Sequence, residues 1–306
     1  MAEATTDIRV APTILDLAAS WRRHLRAENK APRTIEGYLE AVRLLARFLA
    51  ERGMPQEVVA ITAEHVEAFL ADQVERLRPA SARVRYASLK QFFGWCLAEG
   101  EISRDPMERL RPPKVPERPV PVLAEDQLRA LLAACSGPGF YDRRDEALIR
   151  LFVDTGARLG EVAGLRLGDL DLEQGLVVVL GKGRRPRVLP VGSRTLRALD
   201  RYLRARRSHP EAHREELWLG RRGVLGVYGI TEVVARRARR AGLGHVHPHQ
   251  LRHSVAHHLR MAGVDDDALL RLMGWRSRDM LHRYGASAAD ERAIAAHRRA
   301  GLGDRL

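Results

Sequence analysis

Two arginines in this sequence each share a helical turn with a second reactive side chain. Arg158 precedes Glu161 by three positions, and His249 precedes Arg252 by three. Side chains at i and i+3 lie on one face of a helix, so each pair can act on one bound group. A guanidinium presents paired donors that match phosphate oxygens, and histidine exchanges protons near neutral pH. Arg158, at the expected start of a helix, is well placed to bind an anion, although Arg158 and Glu161 on their own are more typical of a surface ion pair.

Three further residues could take part in such chemistry. Tyr284 lies nine positions after Trp275, and Lys182 lies between two glycines in the segment GKGRRP. A tyrosine can attack phosphorus once its phenol, which titrates near pH ~10, loses its proton. The glycines allow a tight turn that brings the lysine close to a ligand. Each residue also has an ordinary interpretation, because such aromatics are more often core residues and hairpin lysines are commonly solvated.

A histidine-rich stretch suggests a metal site as an alternative. Its members are His245, His247, His249, His253, His257 and His258. The motif HEXXH is absent, acidic ligands are not nearby, and the flanking arginines would repel a cation. The pattern GxxxxGK[ST] is also absent, so nothing indicates the use of ATP. We therefore expect no metal or other cofactor; a metalloenzyme would instead lose its activity with a chelator.

Residues 1–104 are predicted to form a helical domain. Apolar residues recur at helical spacing in stretches that begin near Thr34, Val66 and Tyr86. An earlier helix is expected around residues 13–26, which gives four or five helices and no strand. The polar faces carry basic side chains that either are simply solvated or contact DNA: Arg22, Arg23, Arg83, Arg85 and Lys90.

A basic, proline-rich segment follows this helical domain. Residues 105–122 contain six prolines with arginines and a lysine between them, and helical periodicity disappears there. Such a composition is typical of a stiff linker of polyproline character. The sequence therefore predicts a domain boundary in this segment, with a second domain over residues 123–306.

The second domain combines helices with a small sheet. The β-branched runs LVVVL and RVLPV, residues 176–180 and 187–191, flank GKGRRP and predict a hairpin. Helices are expected before this hairpin and over most of the chain from Thr195 onward. Expected helix boundaries are Gly156, Arg158, Pro248, Gly263, Gly274 and Ser277. The fold class is therefore mainly α with a small β-sheet. The last segment, residues 290–306, is expected to dock on a neighbouring protomer or to fray.

Charge and composition restrict the partners and the compartment. Lysine and arginine outnumber Asp and Glu by 52 to 39, and the net charge of +13 suits a polyanion such as DNA. An arginine-rich proteome would explain the same excess. The two cysteines form no CxxC motif, the N-terminus does not resemble a secretory signal, and no apolar run could span a bilayer. These features favour a cytoplasmic protein without a membrane partner.

Taken together in chain order, these motifs resemble those of the tyrosine recombinase (phage integrase) family. The family pattern corresponds to Arg158, Glu161, Lys182, His249, Arg252, Trp275 and Tyr284. Most family members have histidine at the position of Trp275, where tryptophan is a known alternative. The resemblance covers nearly the whole chain. It implies a helical core-binding domain and a mixed α/β catalytic domain that together form a clamp around DNA.

The resemblance also implies a reaction and an assembly. Tyr284 would attack a DNA phosphate while Arg158, Arg252 and Trp275 stabilise it, and His249 would accept the phenol proton. Lys182 would protonate the leaving 5′ oxygen, and Glu161 would support the site. The expected product is a 3′-phosphotyrosyl link, which can be resealed without metal or ATP. Four protomers would join two specific double-stranded DNA sites, with an accessory factor setting direction where one is used.

Two other functions share parts of this pattern. A type IB topoisomerase-like enzyme would use the same chemistry to relax supercoiled plasmids that lack a specific site. A DNA-binding protein that never cleaves would be expected to lack a catalytic arginine or tyrosine, and none is missing here. The sequence indicates a site-specific recombinase, but it does not distinguish integration or excision from resolution of chromosome dimers.

Overall fold

The described part of the chain consists mainly of helices, with two small antiparallel sheets. The structure is a computed structural model that describes residues 11–116, 121–181, 185–275, 278, 280, 281, 294, 297, 298 and 301. It divides into two compact units, residues 1–118 and 119–306. The predicted fold class is confirmed. None of the helices in the described part of the chain has both the length and the apolar character needed to cross a membrane.

The described residues of the N-terminal unit contain four α-helices: α1 (Ile14–Ala27), α2 (Pro32–Glu51), α3 (Ala63–Arg76) and α4 (Pro79–Ala98). Thr13 starts α1 because its hydroxyl accepts from the backbone N–H of Asp16, whose carboxylate accepts from that of Thr13 in return. Pro32 and Pro79 occupy the first position of their helices, where the missing N–H costs nothing. The apolar stripes of the four helices form one core around a cluster of aromatic side chains: Trp21, Phe69, Phe92 and Phe93.

The first residues of the proline-rich segment pack on α4. Lys90 donates to the Asp105 carboxylate at 2.7 Å, and the Tyr86 hydroxyl donates to the Leu110 carbonyl at 2.6 Å. The Met107 side chain is fully buried. Lys90 therefore lies against this segment rather than on a free polar face. A pattern of prolines and charges does not reveal such anchoring, because the anchoring depends on single side chains.

The C-terminal unit begins with helices and a three-stranded sheet. The elements are α5 (Glu125–Ala133), α6 (Phe140–Thr155), α7 (Leu159–Ala163), β1 (Leu170–Asp171), β2 (Leu176–Leu180), β3 (Pro186–Pro190) and α8 (Ser193–Arg206). The sheet is antiparallel in the order β1-β2-β3, and Val178 pairs with Val188. The predicted hairpin is thus confirmed, although its second strand begins one residue earlier than expected. The tip, residues 182–184, lies outside the described residues.

The remaining elements are β4 (Leu219–Gly220), β5 (Gly223–Val224), α9 (Val227–Arg240), α10 (Pro248–Met261) and α11 (Asp266–Met273). The sequence had suggested helices over most of this region, and strands of two residues are too short to give a periodic signal. Pro248 begins α10, and Gly274 ends α11 in the left-handed conformation with φ 60°. The predictions on Ser277 and most of residues 290–306 fall outside the described residues.

Candidate active site

Three guanidiniums converge on the carboxyl end of α11. Arg187 donates to the carbonyl of Leu272, Arg252 donates to that of Met273, and Arg158 donates to that of Gly274 at 2.7 Å. The last carbonyls of a helix have no partner within it and carry the negative end of its dipole, so cations stabilise them. Side chains from β3, α10 and the start of α7 therefore meet at three consecutive peptide groups.

Gly274 permits this approach because it has no side chain. A Cβ atom at this position would lie 3.1 Å from the Nε of Arg187 and 3.2 Å from an Nη of Arg158. Its φ of 60° also lies in the left-handed region, which disfavours other residues. Any substitution at Gly274 would consequently strain the backbone and displace two arginines.

A second left-handed glycine, Gly156, receives the other end of the Arg252 guanidinium. Arg252 is 2% exposed, and its Nη1 donates to the Gly156 carbonyl at 2.6 Å. A Cβ atom on Gly156 would lie 2.9 Å from Cε of Met273. Arg252 thus joins the end of α6 to the end of α11, and close packing holds the two helix ends together.

Glu161 is a buried carboxylate that binds two of the three arginines. It accepts from Arg158 Nη1 at 2.9 Å, from the Arg158 backbone N–H at 2.7 Å and from Arg187 Nη2 at 2.6 Å. Burial by itself would raise the pKa of Glu161, but the hydrogen bonds and charges of Arg187 and Arg158 outweigh it and lower that pKa. The Glu161 carboxylate thus accepts from a backbone N–H at the start of its own helix, α7.

His249 lies on the first turn of α10 beside Arg252. Its Nε2 is 3.1 Å from Nε2 of His253, and the two rings are perpendicular. Burial lowers the pKa of His249, and the nearby charges of His247, Arg252 and Arg158 lower it further. The imidazole is therefore neutral at pH 7 and can accept a proton.

Trp275 follows directly after the three capped carbonyls. Its side chain is 7% exposed and belongs to a small apolar cluster with Met273 and Leu281. The Arg252 guanidinium carbon is 5.8 Å from the centre of its ring, within the range of a cation–π contact. Arg158, Glu161, Arg252 and Trp275 are thus brought together by direct contacts, and His249 joins them through its place beside Arg252 on α10.

Lys182 and Tyr284 lie outside the described residues, but their described neighbours border the site. The Gly181 N–H donates to the Arg185 carbonyl at 2.8 Å and closes the hairpin. A Cβ atom on Gly181 would lie 3.7 Å from Oε1 of Glu161. Three residues before Tyr284 in the sequence, the buried Leu281 accepts at its carbonyl from Arg260 Nη1 at 3.0 Å. Of the described residues on either side of these gaps, Gly181 thus lies close to Glu161, and Leu281 belongs to the Trp275 cluster.

The histidine-rich stretch contacts protein atoms. His247 Nδ1 accepts from the Gln250 N–H at 3.1 Å, and His258 Nε2 lies 2.8 Å from the Leu123 carbonyl oxygen. Across the ranges that the structure describes, no group of three or more His, Cys, Asp or Glu is arranged to hold a metal ion.

Sequence reasoning missed Arg187. The residue contacts Glu161 and Leu272, yet it belongs to no motif that the sequence brought out. A signal was available in the alternation of β3, where Arg187 lies on the same face as the buried Leu189. A charged residue on the inward face of a strand needs a buried partner, and Glu161 provides it.

Comparisons with known proteins identify the family of this chain. Residues 121–291 match the model of the phage integrase family, and residues 17–100 match that of the phage integrase N-terminal SAM-like domain. A tyrosine recombinase XerC from Pelobacter propionicus is 30% identical over 276 residues, which cover 89% of this chain and 90% of the relative. The chain belongs to the phage integrase family. It is accordingly a tyrosine-type site-specific recombinase.

Solved structures share the fold of this recombinase. XerH site-specific recombinase, in a post-cleavage complex with its palindromic difH substrate, aligns with a TM-score of 0.73 and 18% identity over 95% of this chain and 85% of that one. A λ integrase tetramer bound to a Holliday junction aligns with a TM-score of 0.69 and 20% identity over 90% of this chain and 82% of that one. At these identities the similarity establishes the architecture alone.

Proposed function

We propose that this recombinase cleaves and rejoins double-stranded DNA at a specific site through a covalent bond between Tyr284 and a backbone phosphate. One observation carries the proposal. Arg158 and Arg252 donate to the adjacent carbonyls of Gly274 and Met273, immediately before Trp275 and the segment that contains Tyr284. Two guanidiniums thus meet at residues that directly precede this segment in the chain, which supports a site where a tyrosine attacks a bound phosphate.

In the cleavage step, the Tyr284 oxygen forms a bond to phosphorus and the bond to the 5′ oxygen breaks. His249 accepts the phenol proton, a role that suits an imidazole whose pKa is lowered by burial and neighbouring cations. Lys182 donates a proton to the departing 5′ oxygen. The products are a 3′-phosphotyrosyl ester and a 5′-hydroxyl. Attack by a 5′-hydroxyl reverses every step, so the ester conserves the energy needed for religation.

Negative charge develops on the non-bridging phosphate oxygens during this attack. Arg158 and Arg252 stabilise it with planar pairs of donors, which the ammonium group of lysine does not provide. Trp275 adds its indole N–H, which only donates and therefore transfers no proton. Glu161 keeps the Arg158 guanidinium in place through the 2.9 Å ion pair. Preorganised donors of this kind each lower a barrier by roughly 3–4 kcal/mol.

The proposal also covers the DNA substrate and the assembly of protomers on it. The net charge of +13 favours DNA binding, because neutralised phosphates release their counterions. Exposed basic residues of the N-terminal unit, Arg23 and Arg83 among them, supply contacts with the DNA backbone. Four protomers join two sites, as in the λ integrase tetramer on its junction. The reaction takes place in the cytoplasm, and an accessory factor sets its direction where one is needed.

The test is covalent capture of DNA. Fragmented DNA of the source genome is incubated with the protein, denatured and resolved by gel electrophoresis, and the captured fragments are sequenced. We expect Tyr284→Phe to retain DNA binding in a mobility-shift assay and to form no adduct. Tyr228→Phe is the matched control, because Tyr228 is 86% exposed in the same unit and is expected to form the adduct normally. An adduct with Tyr284→Phe would disprove the assignment of the nucleophile.

A further inference from the structure

Of the two arginines that bind Glu161, Arg187 has the more buried side chain. Its side chain is 14% exposed, against 36% for that of Arg158. It donates through Nη2 to Glu161 and through Nη1 to the Leu272 carbonyl, so its two ends reach two different elements. Its Nε is buried and meets no acceptor among the residues that the structure describes. Arg158 is thus the arginine open to a ligand, and Arg187 is held inside.

The two contacts of Arg187 lie next to the two segments that carry the chemistry. Arg187 belongs to β3, which directly follows the hairpin tip with Lys182, and its partner Glu161 also approaches Gly181 on the other arm. Leu272 is in the last turn of α11, from which the chain continues to Trp275 and Tyr284. A single guanidinium therefore connects the base of the lysine hairpin with the origin of the tyrosine segment.

We propose that Arg187 is a positioning residue of the recombinase site, which fixes the lysine hairpin, Glu161 and the α11 end relative to each other. The inference rests on the proposed function, since it assigns Lys182 and Tyr284 to one reaction. Arg187 itself does not contact the phosphate. It acts through Glu161, which binds Arg158, and through the Leu272 carbonyl.

A guanidinium suits this role because its donors point in fixed, different directions. Nη1 and Nη2 bind the carbonyl and the carboxylate at once, whereas a lysine ammonium is a compact charge that would bind one of them better than both. The positive charge has a second effect. Without Arg187, only the hydrogen bonds of Arg158 would oppose burial, so the pKa of Glu161 would rise from its wild-type value. A protonated Glu161 would hold Arg158 less firmly.

The first measurement is the rate of Tyr284 adduct formation on a nicked duplex made from a captured fragment. Removing a residue that acts through a neighbouring group typically costs about 10- to 100-fold, and we expect a loss of that size with Arg187→Met. DNA affinity is expected to change by less than about threefold, because Arg187 is not among the residues assigned to phosphate binding. Arg187→Lys is expected to recover part of the rate, since it keeps the charge.

Arg206→Met is the matched control for the loss of a buried guanidinium. Arg206 is 3% exposed and donates to the carbonyls of Ala212, Arg214, Glu216 and Leu217. Its removal should lower the thermal midpoint, while the adduct rate per folded molecule stays at the wild-type value. Rates for all variants are therefore divided by the folded fraction, which circular dichroism measures.

The pH profile separates positioning from mere stability. In Arg187→Met the adduct rate should fall on acidification at a pH where the wild type is still unaffected, because protonation of Glu161 now releases Arg158. Adding Glu161→Gln to Arg187→Met should abolish this extra dependence. A variant that was only less stable would keep the wild-type profile after correction for folding.

The outcomes decide between the two proposals. Wild-type protein that forms no Tyr284 adduct would disprove the proposed function. Wild-type adduct together with an unchanged corrected rate and pH profile in Arg187→Met would leave that function intact and overturn the role of Arg187. Should Arg187→Met fail to fold, Arg187→Lys carries the same test, because a wild-type rate and profile in that variant would contradict the need for two directed donors.

Discussion

Two buried carboxylates in the C-terminal unit illustrate different uses of the same ion-pair chemistry. Asp145 in α6 is fully buried and accepts from arginines of α6 and α9: Arg144, Arg236 and Arg237. Glu161 in α7 is also buried and accepts from Arg158 and Arg187. In both clusters, arginine Nη groups also donate to backbone carbonyls. The two clusters therefore resemble each other in composition.

The two clusters differ in the groups that their arginines contact beyond the carboxylate. Arg144 and Arg237 are both buried, and they reach the carbonyls of Leu219 and Ala134 inside the unit. The Asp145 cluster consequently joins α5, α6 and α9 and serves the scaffold. In the Glu161 cluster, Arg158 is partly exposed and lies at a helix end that precedes Trp275. Arg236, whose side chain is half exposed, also binds Asp145, so the exposure of one arginine does not separate the clusters. What separates them is the helix end before Trp275 that Arg158 reaches.

The strongest test of this comparison removes the scaffold carboxylate. Asp145→Ala removes the carboxylate that binds the buried Arg144 and one of the two carboxylates that bind Arg237. The loss should reduce the free energy of unfolding by about 3–5 kcal/mol. The adduct rate per folded molecule should remain at the wild-type value. Urea denaturation and single-turnover cleavage measure the two quantities. A large loss of corrected rate would show that the Asp145 cluster also serves the site.

Removal of an arginine from the site should have the opposite signature. We expect Arg252→Ala to lower the adduct rate by roughly 10²- to 10³-fold, because a preorganised donor to the developing charge is lost. Arg252→Lys should not restore the rate, since planar paired donors are required. Single-turnover cleavage measures both variants. A rate for Arg252→Lys near that of the wild type would contradict the paired-donor role.

Replacing the glycine that ends α11 with alanine should have a smaller effect. Gly274→Ala and Gly263→Ala both place alanine at a positive φ, which costs about 1–2 kcal/mol of stability. Only the first would also bring a Cβ atom against Arg158 and Arg187, since nothing lies within 4 Å of a Cβ on Gly263. We expect Gly274→Ala alone to reduce the adduct rate, by roughly tenfold if about 1.4 kcal/mol of transition-state stabilisation is lost. Equal corrected rates in the two variants would argue against the arginine contacts.

The smallest expected effect is a pH dependence from His249. Burial and neighbouring cations lower the pKa of its imidazole below the ordinary 6.5, so the proton acceptor stays neutral as the pH falls to that value. The adduct rate should therefore decline only below pH 6.5, once His249 becomes protonated. His249→Gln should be slower and should lack this decline. Measurement of the rate from acid to neutral pH checks both statements.

The sequence predicted much of the local structure. Helical stripes, prolines at helix starts and glycines at helix ends are signals that extend over a few residues, so α2, α10 and the β2–β3 hairpin were expected. The i and i+3 spacing also anticipated the contact of Arg158 with Glu161. The catalytic roles of these residues stay predictions, because they concern a bound phosphate, and Lys182 and Tyr284 lie outside the described residues.

Other features could not be predicted in this way. Arg187 binds Glu161 and Leu272 across long stretches of chain, and the anchoring of Asp105 by Lys90 likewise joins α4 to the segment that follows it. Both contacts depend on which side chains face each other after the helices and strands have packed. The two-residue strands β4 and β5 similarly form because a neighbouring strand pairs with them.

The sequence by itself determined the family chemistry, since the types and short spacings of Arg158, His249, Arg252 and Tyr284 are local properties of the chain. Only the tertiary structure decided that three arginines meet at consecutive carbonyls of α11. The physical reason is that helix-end carbonyls become an acceptor site only when packing brings donors to them. Glycine at position 274 makes room for those donors, but the packing of β3, α7 and α10 around α11 supplies them.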